Sequence, residues 1–242
     1  MNPRAAITRQ VHALLERESR INLHRHPVAI SNADGVVVLE GEVADVAAKK
    51  LALGAAASVA GVHGIVDRLR VDPGERRGDG AVRDSVARTL MQQREFINCT
   101  IQWHANGRIE TGRLLEADAA GAIEISVAEG VVVLAGHVQS RSHKRFAGVL
   151  AWWTPGRRDV VNSLAVRPEY PDGDDEVTEV LELVLEVDPM VDARSQIRVS
   201  CKDRTVLLEG AVLTERQKVR AELDAWSLFG VARVVNHLEV TD

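Results

Sequence analysis

Apolar positions along the chain recur in one order three times. Each copy opens with a single helical stripe: Ile7, Val11, Leu14 and Leu15 in the first, Val82, Val86 and Leu90 in the second, and Val177, Val180, Leu181, Val184 and Leu185 in the third. That spacing places every member on one face of an amphipathic helix. Alternating stretches follow, "VAISN" from Val28, "IEISV" from Ile123 and "IRVSC" from Ile197, and then the near-identical runs "VVVLEGEV", "VVVLAGHV" and "TVLLEGAV". Each pair predicts two short strands joined by a tight turn, clearest at "NADG" (32–35), where Gly35 suits a positive φ. A second helix is expected over roughly 45–57, 140–153 and 214–226, and a last strand closes each copy. The predicted order is α-β-β-α-β.

The copies share one register. The strand glycines Gly41, Gly136 and Gly210 are each followed, 20 residues on, by a second glycine (Gly61, Gly156, Gly230), and six residues later by Asp67, Asn162 or Asn236. The strand glycines suggest a bulge or a close backbone neighbour, and the second set suggests helix C-terminal caps. The recurring Asp or Asn is expected to make a structural turn or a backbone hydrogen bond. In the third copy Arg204 and Thr205 replace the glycine and valine of the hairpin, which predicts a turn of another type. "DPGERRGDG" (72–80) and "RPEYPDGDDE" (167–176) read as linkers. The second copy is longer: Leu90 to Ile123 spans 33 positions, against 12 from Leu185 to Ile197. Its extra segment, near 97–121, alternates weakly around Asn106-Gly107 and reads as an additional hairpin.

The phrases "GVVVLEG" (35–41) and "GVVVLAG" (130–136), with the endings at 66–71, 161–166 and 235–240, resemble the BON domain, a small αββαβ module named for bacterial osmotic-stress and nodulation proteins. The resemblance implies an α+β protein of three tandem modules, 4–71, 81–166 and 174–240. Each would be a three-stranded mixed sheet with two helices on one face, folding around its own interior. It also implies a non-enzymatic protein that binds phospholipid, in a stress or envelope context. The alternative is a protein-interaction scaffold that acts through module packing or self-association along sheet edges.

Composition narrows the function classes. The chain has 242 residues, 45% hydrophobic and 27% charged, with only 3% aromatic, so its cores are expected to be aliphatic. Basic and acidic residues number nine against eight over 1–74, thirteen against eleven over 75–169, and eight against sixteen over 170–242. The acidic last third argues against a nucleic-acid partner. No run approaches the roughly 18 apolar residues of a membrane span. Arg9, Gln10 and His12 interrupt the apolar start, and two distant cysteines, Cys99 and Cys201, agree with a reducing compartment, so a cytoplasmic chain with peripheral membrane association is expected.

No catalytic or cofactor motif is found, and none is expected to act. His24 and His26 lack a third metal ligand, and no metal site is expected. Cys201 reads as a small buried hydrophobe rather than a nucleophile, and the acidic stretch 172–179 as a helix start rather than a calcium loop. The most suggestive segment is "SRSHKRFAGVLAWWTPGRR" (140–158). Phe146, Val149, Leu150 and Trp153 share a face, and Arg141, Lys144, Arg145, Arg157 and Arg158 gather at the two ends. With Trp152 and Trp153, these cations are the candidate contacts for an anionic phospholipid surface or a protein partner. Trp226 falls at the position of Trp152 in the acidic third copy, which favours packing for these tryptophans.

Overall fold

The computed structural model describes residues 3–105, 107–115, 119–168, 173–192 and 194–241, the first three of them as backbone only. Among these, the fold is mixed α+β, with six α-helices and three mixed sheets. The chain divides into two compact units, 1–72 and 73–242.

The first unit runs α1 (Pro3–Arg17), β1 (Val28–Ala33), β2 (Val36–Val43), α2 (Val46–Ala57) and β3 (Gly64–Val71). Its sheet has the order β1-β2-β3, antiparallel and then parallel. Val11 and Leu15 of α1 are buried, as are Val37, Leu39 and Leu69 of the sheet.

The second unit runs α3 (Asp79–Gln92), a short 3-10 turn at Arg94–Phe96, then β4 (Cys99–Ala105), β5 (Arg108–Arg113), β6 (Gly121–Ala128), β7 (Val131–Val138), α4 (Arg141–Trp152), β8 (Asp159–Asn162) and β9 (Ala165–Val166). It continues with α5 (Asp174–Val187), β10 (Gln196–Lys202), β11 (Thr205–Val212), α6 (Glu215–Ser227) and β12 (Arg233–Val240). The last sheet, β10-β11-β12, repeats the first sheet's pattern.

The middle sheet departs from the expected three strands: its order is β5-β4-β6-β7-β8, with β9 also on β7. The extra segment supplies β4 and β5, an antiparallel hairpin that turns between Ala105 and Arg108; Asn106 lies outside the described residues. Strand β4 then pairs in parallel with the outer edge of β6. The closing strand is split into β8 and β9; between them the Ser163 backbone N–H donates to Leu134 O (2.8 Å).

A second departure concerns the core. Buried residues from Val82 to Leu238 form one continuous cluster, so the second and third repeats share an interior instead of each closing on its own. The rings of Phe96 and Phe146 stack 5.8 Å apart within it.

Local devices recur with the repeat. Asp45, Ser140 and Thr214 cap the helices that follow the hairpins, each accepting from the backbone N–H three residues on. The recurring Asn or Asp latches the last strand to that helix. Asn162 Nδ2 donates to Lys144 O (2.6 Å), and Asn236 Nδ2 to Lys218 O (3.1 Å). The Asp67 side chain has no N–H to give, and in the first unit a buried Lys49 ammonium takes over, 3.0 Å from Asp67 Oδ2 and donating to Leu69 O (3.0 Å). The third hairpin turn is a correction to the sequence reading. Asp203 and Arg204 hold φ of +49° and +61°, as Asp34 and Gly35 (+50°, +82°) and Glu129 and Gly130 (+52°, +75°) do. The Asp174 carboxylate accepts from both of their amides, and Arg204 Nε donates to Gly230 O (2.7 Å), which holds a turn that Arg alone would disfavour.

At Gly136 the backbone approach is so close that a Cβ would lie 2.1 Å from Ala122 O, at φ +104°. At Gly54 in α2, a Cβ meets nothing within 4 Å. In urea titrations Gly136→Ala is therefore expected to lose at least about 2 kcal/mol, whereas Gly54→Ala gains about 0.5–1 kcal/mol. An unchanged midpoint for Gly136→Ala would refute the close-approach reading.

Candidate functional site at helix α4

Ser140 starts α4 by accepting from His143 N (3.2 Å). The apolar stripe points inward as expected: Phe146, Val149 and Leu150 are buried. Its basic and aromatic residues do not form an open surface, because α4 packs against α5 and α6 of the next repeat.

Arg145 is 2% exposed. Its Nε donates to Phe229 O (3.0 Å), and its Nη1 lies 3.4 Å from Glu176 Oε2. Lys144 is half-buried with its ammonium 5.2 Å from the centre of the Phe229 ring; burial, then nearby Arg141, lowers its pKa. Arg141 is itself half-buried.

Farther along, Trp153 Nε1 donates to Asp224 Oδ1 (2.8 Å), and the Arg220 guanidinium sits 5.0 Å over the Trp153 ring. Arg220 Nε also binds Asp188 Oδ2 (2.5 Å), and stands 3.5 Å from Asp224 Oδ1. Arg157 lies 5.7 Å over Trp152, its Nε buried without a partner among the described residues. Burial, then Arg220, lowers the Arg157 pKa. Arg158 packs on the hairpin turn: its backbone N–H donates to Gly130 O (2.7 Å), and its side chain occupies the space a Cβ on Gly130 would need. Trp226 is 3% exposed, in agreement with packing.

All seven predicted residues thus lie on α4 or the turn after it. Arg145 and Trp153 reach across to the third repeat, Trp152 and Arg157 pair with each other, and Arg158 faces its own hairpin. Composition and charge did not point to Glu176, Asp188, Arg220, Asp224 or Phe229. One signal was present in the register: Asp224, 14 residues after its strand glycine, stands where the other copies have Ala55 and Leu150. A carboxylate at a core position needs a partner.

Burial pushes the Asp224 carboxyl well above the usual carboxylate range; Arg220 opposes this, and a hydrogen bond shared with Asp188 adds to it.

The remaining candidates take structural roles. His24 is exposed, and Asn22 Oδ1 accepts the backbone N–H of His24 and of Arg25. Among the described residues, no three His, Cys, Asp or Glu side chains are grouped to hold a metal. Burial, then a hydrogen bond to Asp174, raises the Cys201 thiol to about 11, so it stays protonated and a poor nucleophile at neutral pH. Asp174 and Asp175 open α5, and Asp174 binds the hairpin amides; Asp172 lies outside the described residues. No helix among the described residues is long and apolar enough to cross a membrane.

Repeated small α+β units whose charged residues bind one another define a class of modular, repeat-built proteins. The BON domain family model matches residues 3–73, 110–168 and 173–242, and the chain belongs to that family. No curated protein matches the sequence. Two solved structures of CdsD, a structural protein of the type III secretion system of Chlamydia trachomatis, align with it. One, of the C-terminal domain, is 13% identical over 97% of this chain and 96% of that one, with a TM-score of 0.25. The other is 14% identical over 98% and 92%, with a TM-score of 0.23.

A raised native pKa at Asp224 means that the folded protein keeps a proton which the unfolded chain loses above about pH 4. Stability contributed at this site is therefore present below that pH and falls as pH rises toward the native pKa. Asp224→Asn keeps the acceptor for Trp153 and cannot ionise. Its melting temperature relative to the native protein is expected to be higher at about pH 8 than at about pH 5, and an equal difference at both would count against a protonated Asp224.

Proposed function

We propose that this chain is a non-enzymatic binding protein built from three copies of one αββαβ module, at 4–71, 81–166 and 174–240, which associates peripherally with anionic phospholipid surfaces in a stress or envelope context. Membership of the BON family supports membrane-related or phospholipid-related binding. The observation that carries the reading is Phe229. It is 54% exposed on the loop after α6, with Lys144 over its ring and Arg145 holding its carbonyl. An exposed aromatic beside a lysine suits the boundary between headgroups and acyl chains. Arg145 serves in this reading as the buried post that positions the loop, not as a lipid contact.

A second reading, the interaction scaffold, is favoured by the sheet edges. Strands β1 and β10 end their sheets with no outer partner among the described residues. The second and third repeats already bind each other through their helices.

Sedimentation with phosphatidylcholine vesicles, with and without phosphatidylglycerol, tests the first reading. Binding is expected only with the anionic lipid, and is expected to weaken as salt rises. Lys144→Ala should reduce it about fivefold, and Phe229→Ala should reduce it further. Equal sedimentation with both vesicle types, or no effect of either substitution, would overturn the phospholipid reading.

A further inference from the structure

We propose that the outer edge of β10, with the groove between it and α5, binds an extended segment of a partner protein as an added parallel strand, apolar at alternate residues and basic where it faces α5. This deepens the scaffold reading above and rests on it.

The second repeat supplies the template. Strands β6 and β10 hold the same place in their repeats, since Ile123 and Ile197 each pair with the strand glycine, Gly136 and Gly210. The outer edge of β6 is filled by β4, which runs parallel to it from Cys99↔Gly121 to Trp103↔Ile125. Cys99 and Ile101 of that strand are buried, and α3 lies against it. The outer edge of β10 has no such strand among the described residues. Beside it is a groove of about 360 Å³ with Leu185, Val191, Ile197 and Val199 among its lining residues. An open strand edge offers a row of unpaired N–H and C=O groups, and adding a strand satisfies them while alternate side chains enter the groove.

The helix facing the groove indicates the chemistry of the occupant. Asp79 and Asp174 both bind the amides of their own hairpin turns, so α3 and α5 can be compared residue by residue. Where β4 is present, α3 carries Ala87, buried, and Met91, partly buried against the core. At the same positions α5 carries Glu182 and Glu186, both exposed and both lining the groove, with no ion pair among the described residues. The segment that suits β6 is wholly apolar on its helix side; the one that suits β10 needs a cation there. The position is readable from β4. A Cβ on Gly112 would lie 2.5 Å from Trp103 Cζ3 and 2.8 Å from Met91 Sδ, so Trp103 shares the side of Met91, which corresponds to Glu186.

The probes are two synthetic peptides tested against the full chain. One has the sequence of residues 97–105, INCTIQWHA, and the other carries Trp103→Lys. Hydrogen exchange of Gln196–Lys202 is expected to slow with the lysine peptide and not along β12. The parent peptide should bind about fivefold more weakly. The double variant Glu182→Gln/Glu186→Gln, exposed on the surface and expected to fold, should erase that preference. Unchanged exchange of β10 at saturating peptide overturns the proposal, as does a lysine preference that survives in the double variant. Protection of β10 that appears with protein concentration alone also overturns it, by making a second copy the occupant. Elution at dimer mass with β10 still unprotected would leave the scaffold reading standing and remove only this site.

Discussion

In every repeat the second strand passes the first so closely at one point that no side chain fits between them. A Cβ on Gly41, Gly136 or Gly210 would come within 2.4, 2.1 or 1.9 Å of the carbonyl oxygen of Pro27, Ala122 or Gln196. That contact pins the hairpin register, with Val28, Ile123 and Ile197 opposite the glycines. A slip of one residue would turn the buried members of β2, β7 and β11, such as Leu39, Leu134 and Leu208, to the other face of the sheet. The side on which helices can pack, and so the whole layer arrangement, follows from this steric point.

Once the helices are seated, the second and third repeats cover each other's helical layers. Apolar burial supplies the driving force, through a cluster that runs across both. The polar groups caught at the boundary determine how the layers meet. Arg145 is closed in and held by a carbonyl and a carboxylate of the neighbouring repeat, while Trp153, Arg220, Asp188 and Asp224 form a second buried network. Removing one member of such a network strands the others without water, which makes the arrangement intolerant of alternatives. The basic helix that looked most like a membrane face is, in its deeper half, an internal joint. Nearer its start, Lys144 is half-buried beside the exposed Phe229 ring.

The inserted hairpin changes the edges of the architecture. Added to β6, it converts a short sheet with an exposed side into one of six strands and buries Ile101 and Cys99, whereas β1 and β10 have no outer strand partner among the described residues. Edges differ accordingly in their side chains: Ala87 sits beneath the covered one, Glu182 and Glu186 beside the open one. Acids along an open edge keep it solvated and oppose indiscriminate strand pairing.

Much of this was legible in the residues. The equal glycine intervals, the helix stripes and the extra hairpin depend on steric and periodic rules that operate over a few residues, so a local pattern suffices to reveal them. The turn at Arg204 misled because its positive φ is held by Asp174, thirty residues upstream, and no local rule contains that carboxylate. The destination of Arg145 and Trp153 was likewise not readable from α4, since an amphipathic basic helix looks the same whether water, lipid or another repeat covers it. The sequence by itself determined the repeated unit and its register, through backbone sterics and short-range periodicity. Only the tertiary structure decided which faces meet, which charges are buried and which strand edge stays open, because those depend on groups far apart in the chain competing for the same surface.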